Sequence, residues 1–150
     1  MKFKYLLLGV VLLCCLNSCK KGSQAPKPIV TIVGKWFITK QSSELYYNGA
    51  EISSFTKTNF TSVDFVEYYG DGSGYFSKYS TTGPSLTEFT YTLKNTSLTQ
   101  FTGGDNTAGT PETITSLTIS SLSIHAESQV PDPNNSGQID NEIDDYTYTR

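Results

Sequence analysis

Beyond residue 29 no stretch of the chain repeats apolar residues at the 3.6-residue spacing of an amphipathic helix. Short runs alternate apolar and polar side chains instead, each ended by turn formers. The runs read as strands over 33–40, 44–47, 50–54, 62–69, 75–80, 88–94, 98–102, 112–119, 122–128 and 142–150. Asn48-Gly49 is the commonest two-residue hairpin signal, and Gly70-Asp71-Gly72-Ser73-Gly74 marks a second hairpin. Ser and Thr make up about a quarter of the chain, with 10 Tyr and 8 Phe, a composition that favours strands. Connections this short pair neighbours antiparallel, because parallel pairing needs long crossovers. About eight strands with one apolar face must fold over on themselves, and closure removes the edges as well. The expected fold is all-β: an antiparallel up-and-down meander closing into a small barrel. A two-sheet β-sandwich is the alternative.

The first 28 residues are of another kind. Lys2 and Lys4 precede an apolar run, Tyr5 to Leu16, too short for the roughly 20 residues that span a bilayer core as a helix. Leu16-Asn17-Ser18-Cys19 resembles the lipobox of bacterial lipoproteins, and Leu-x-Ser-Cys endings are familiar in Bacteroidetes-type members. The resemblance implies a signal peptide over 1–18, cleavage before Cys19, and acyl chains on Cys19. Several chains anchor a protein where one holds it only marginally. Cys14 and Cys15 leave with the signal, so no disulfide or thiolate chemistry is expected in the mature chain. Residues 20–28 (KKGSQAPKP) read as a flexible linker. Lys20 after the lipidated Cys points to the outer membrane, with the periplasmic face and the cell surface both open.

From residue 29 to residue 150, taken as one domain, 14 acidic residues stand against 6 basic ones, a net charge of −8. Such a body is not expected to bind nucleic acid.

Gly34-Lys35-Trp36 on the first strand resembles the Gly-x-Trp of lipocalins. Phe65 before the Asp71-to-Gly74 hairpin, Phe89 to Asn95, Leu117 to Ile124 and the terminal Tyr146 to Arg150 resemble the lipocalin-like domains of bacterial lipoproteins. The resemblance spans residues 30–150. It implies that Gly34, Trp36 and Arg150 close one end of the barrel, with the guanidinium lying against the indole. It also implies that the barrel binds a small apolar or amphipathic molecule. Contacts expected from the inner face are Ile38, Phe65, Phe89, Tyr91, Leu122 and Ile124.

Chemistry-bearing residues are sparse. His125, the lone histidine, lies on the polar face of its strand without a Ser–Asp set, and no second His completes a metal site. Asp132, Asn134, Ser136 and Asp140 have the alternation of a calcium loop, but Ile143 stands where a bidentate Glu belongs, so the stretch reads as a polar hairpin loop. Glu67, between Val66 and Tyr68, needs a partner or a place at the barrel mouth. No catalytic set and no cofactor motif is expected. The alternative to a ligand-binding barrel is a non-enzymatic interaction module that meets protein or glycan through its loops and Tyr-rich faces.

Overall fold

The computed structural model describes residues 30–103, 109–131 and 139–150. The expected signal, Cys19, the linker, and Asp132, Asn134 and Ser136 of the calcium-type loop lie outside the described residues.

The described chain forms nine strands: β1 (Gly34–Tyr47), β2 (Ala50–Lys57), β3 (Phe65–Tyr68), β4 (Ser73–Ser80), β5 (Gly83–Lys94), β6 (Ser97–Thr102), β7 (Thr110–Leu117), β8 (Ser121–Pro131) and β9 (Ile139–Thr149). All pairings are antiparallel. From β3 to β9 each strand pairs with the next, and β1 joins β3 on one side and β9 on the other. Eight strands therefore close into a barrel, as expected, and the single continuous sheet leaves no place for the sandwich.

β2 breaks the meander. It pairs only with the outer part of β1, from Gln41↔Lys57 to Tyr47↔Ala50, and the chain then returns to lay β3 against Gly34–Phe37. All eight β2 residues are exposed. Its turn is the one expected: Asn48 and Gly49 both have positive φ (49° and 77°), which a tight hairpin with right-handed twist requires.

Two irregularities decide which side chains enter the barrel. The β1–β9 register skips Thr39, and the β7–β8 register skips Thr115. Each threonine hydroxyl donates to a carbonyl of the neighbouring strand, Thr39 to Thr147 (3.0 Å) and Thr115 to Ser123 (3.3 Å). A bulge of this kind reverses the in–out phase. On β1 it follows Trp36 and Ile38 with Gln41 and Ser43 on the inner face, and turns Lys40 outward.

The core fills one end. Trp36, Tyr68, Leu98, Leu122 and Ile124 are almost wholly buried, joined by Ile32, Ile38, Val66, Phe89, Ile114 and Tyr148. Tyr68 meets Phe89 and Tyr91 edge-on, with ring centroids 5.5 and 5.1 Å apart. Gly74 makes the packing possible: a Cβ there would stand 2.6 Å from the Phe89 ring.

Candidate functional site

Trp36, Gly34 and Arg150 come together at this filled end. The Arg150 guanidinium lies 3.9 Å from the centroid of the Trp36 ring, a stacked cation–π contact. Its Nη2 donates to the carbonyls of Thr31 (2.8 Å) and Val33 (2.7 Å), which ties the lead-in to the last strand. The indole Nε1 of Trp36 donates to the Ile32 carbonyl at 2.6 Å. Gly34 has φ +125°, a conformation that side-chain-bearing residues rarely adopt, so the backbone asks for glycine, and the Arg150 guanidinium lies over it at contact distance.

The other end is built from different residues. The inner face of β9 runs Tyr148, Tyr146, Asp144, Glu142 and Asp140 outward from the plug, paired with Leu122, Ile124, Ala126, Ser128 and Val130 of β8. Two strands from β9, Glu112 of β7 sits level with Leu98 and Ala126. A cavity of about 140 Å³ lies inside this half. Ile38, Val66 and Phe76 give it apolar walls, and Tyr146 and Tyr148 stack beside them with centroids 6.2 Å apart. Lys78, Gln100 and Glu112 supply the polar lining.

Gln100 Nε2 donates to Glu112 Oε2 at 2.6 Å and lies 3.2 Å from the Tyr68 hydroxyl. Burial pushes the Glu112 carboxyl up to about 7; the bond from Gln100 opposes the shift and nearby Asp144 adds to it. Burial also raises Asp144, and holds the Tyr146 phenol at about 12. Ser43, buried on β1, donates to Glu142 Oε1 at 3.1 Å. Asp140 is buried with Oδ1 lacking a hydrogen-bond partner among the described residues.

Of the expected ligand contacts, only Ile38 lines this cavity. Phe89, Tyr91, Leu122 and Ile124 point inward but belong to the packed core or lie against it. Phe65 is a correction. It pairs with Phe37 on the outer face, while Trp36↔Val66 takes the inside. There Phe65 packs edge-on against Phe37 and Tyr75, and Lys35 Nζ lies 3.4 Å over its ring. Glu67 is outside too, where it accepts the Tyr75 hydroxyl at 2.8 Å.

His125 also faces out. Its Nδ1 lies 2.9 Å from Asp145 and its Nε2 3.2 Å from Glu127. Asp145 and then Glu127 raise its pKa. With both ring nitrogens held by carboxylates, the imidazole offers no free base to a substrate. Of the calcium-type residues only Asp140 is described, and it lies on the inner face of β9. No cluster of three or more metal-type ligands occurs among the described residues.

Sequence reasoning did not single out Glu112, Gln100, Lys78 or Tyr146 as cavity residues. The available signal was a carboxylate in phase with Ile114 at the start of a strand.

The fold defines a class: a closed, eight-stranded antiparallel barrel consistent with a lipocalin-like fold, whose shape and aromatic lining suit small-molecule binding. No protein-family model matches the chain, and a search of curated proteins finds no match.

Proposed function

We propose that the chain is a lipid-anchored binding protein that holds one small amphipathic molecule in the open half of its barrel. The observation that carries the reading is the 140 Å³ cavity, which sets apolar and aromatic walls beside Gln100, Glu112 and Lys78. Such a cavity is well below the roughly 300 Å³ at which drug-sized pockets begin, so it suits a compact ligand. The packed plug beneath it excludes a long apolar chain, which narrows the expectation from the sequence. Binding is itself the function in this reading, with no reaction implied. Anchoring rests on the Leu16-to-Cys19 pattern: Cys19→Ala should release the protein from membranes, and retention of that variant would remove the anchor from the proposal.

Native mass spectrometry tests the binding role. The chain isolated from its own cells should carry one small molecule, lost on unfolding. A ligand-free mass, together with no response to apolar, cationic or anionic probes of benzene size, would overturn it.

A second reading is favoured by the outer surface between β3 and β6. Tyr69, Tyr75 and Phe101 line a hollow of about 370 Å³ with Glu88 and Ser73 at its sides. Aromatic faces beside a carboxylate suit a neutral sugar. Loss of oligosaccharide binding in Phe101→Ala, with binding in the cavity unchanged, would support this reading. Absence of any sugar binding by the native chain would remove it.

A further inference from the structure

We propose that the cavity in the open half of the barrel takes a small organic cation: an ammonium on an apolar body of about the bulk of a benzene ring, with the Glu112 carboxylate as its counter-charge. The inference rests on the small-molecule reading above and names its ligand class.

Size sets the body. A cavity of 140 Å³ is close to the ~150 Å³ that accommodates benzene in an apolar protein interior. Ile38, Val66 and Phe76 provide surface for such a body, and the stacked Tyr146 and Tyr148 place aromatic rings in the same lining.

Charge sets the head group. Glu112 Oε2 accepts from Gln100, while Oε1 has no hydrogen bond to a described residue and is not among the fully buried unpartnered atoms. Lys78, the basic residue in the lining, lies 5.6 Å from the Phe76 ring centroid and makes no ion pair with Glu112. Farther out, the inner face of β9 adds Asp144 and Glu142, and beyond them the buried Oδ1 of Asp140, without a hydrogen-bond partner among the described residues. An anion entering past these carboxylates is repelled. A neutral ligand covers the half-buried Glu112 carboxylate without supplying a counter-charge, which is costly. An ammonium satisfies the free oxygen and the charge together.

The titration of Glu112 agrees with this geometry. The groups facing it are Tyr68 from β3, Lys78 from β4, Gln100 from β6, and Asp144, Tyr146 and Tyr148 from β9. Among them burial dominates, and the carboxyl titrates near 7. A bound ammonium favours the ionised form, so affinity should rise with pH through that value.

Calorimetric titration of the full chain with benzylamine, benzyl alcohol and benzoate tests the inference. Benzylamine should bind, and its affinity should rise up to about 10-fold from pH 6 to pH 8, following ionisation of one group near 7. Benzyl alcohol and benzoate should bind at least about 10-fold more weakly, the factor expected where a buried charge is left unpaired. Glu112→Gln, which keeps the acceptor for Gln100, should weaken benzylamine and abolish the pH dependence. Lys78→Met, which removes the competing cation, should strengthen it. Equal binding of benzylamine and benzyl alcohol, or unchanged binding by Glu112→Gln, overturns the cation assignment. If the native chain nevertheless carries a neutral small molecule, the binding role survives and only this inference fails.

Discussion

An ionisable side chain inside a barrel makes the stability of that barrel depend on pH, and Glu112 is such a side chain. Its folded pKa of about 7 stands above the ordinary 4.5. Its contribution is therefore fully favourable below about pH 4.5 and is lost as pH rises through 7. A shift of this size corresponds to roughly 3 kcal/mol at neutral pH. Glu112→Gln should thus melt higher than the native chain at pH 8 and about equally at pH 4.5. Equal melting of the two at pH 8 would mean that the carboxylate is solvated. His125 has the same sign in a different window. Its pKa is raised by Asp145 and Glu127, so its favourable contribution is present below about pH 6.5 and fades above it. At this exposure the effect stays under about 1 kcal/mol. Asp64 works the other way. Burial pushes it up, but hydrogen bonds from the amides of Tyr79 and Thr61 and the Thr61 hydroxyl outweigh that and hold it down. Asp64→Ala removes the charged acceptor of these three bonds and should cost about 1–3 kcal/mol in denaturant unfolding, most clearly above pH 4. At the closed end, Gly34→Ala must adopt φ +125°; a loss of about 1–3 kcal/mol is expected.

At the scale of elements, β2 differs from its neighbours. Among the described residues it has one partner strand and an open edge, and none of its own residues is buried, with Ile52 and Phe55 both more than half exposed. Its amide hydrogens should exchange faster than those of β8 and β9, which pair on both sides and carry the core. Hydrogen exchange as slow in β2 as in β8 would show that something covers the edge in solution. The strands themselves were legible in the sequence, because alternation over 88–94, 122–128 and 142–150 has period two and turn residues mark the ends. Asn48-Gly49 was legible because the positive φ of a tight hairpin restricts which residues fit, and Gly34-x-Trp36 was legible through its resemblance to the lipocalin motif. Phase was not legible where both faces carry apolar groups. In Phe65-Val66-Glu67-Tyr68 either set can face inward, and only pairing with Trp36 selects Val66 and Tyr68. The bulges at Thr39 and Thr115 were hidden as well, because threonine suits a regular strand equally. For this reason the cavity, whose lining depends on the phase after those bulges, was largely invisible before the fold was known.

The whole molecule is a barrel with two unlike halves. Below, Arg150 stacks on Trp36 and the core aromatics pack against one another. Above, carboxylates on β7 and β9 face a hollow that water or a ligand must fill. This division separates the reporter from the site. Trp36, the lone tryptophan, is buried in the closed half and is absent from the cavity lining. Its emission should be blue-shifted and poorly quenched by acrylamide in the folded chain. A ligand held above should leave both properties nearly unchanged while perturbing the tyrosine resonances of Tyr146 and Tyr148. Because interiors are close-packed, a ligand that reached the indole would have to displace core side chains such as Leu122 or Tyr68. A large change in Trp36 emission on ligand addition would therefore place the binding site in the closed half and contradict the division on which the functional reading depends.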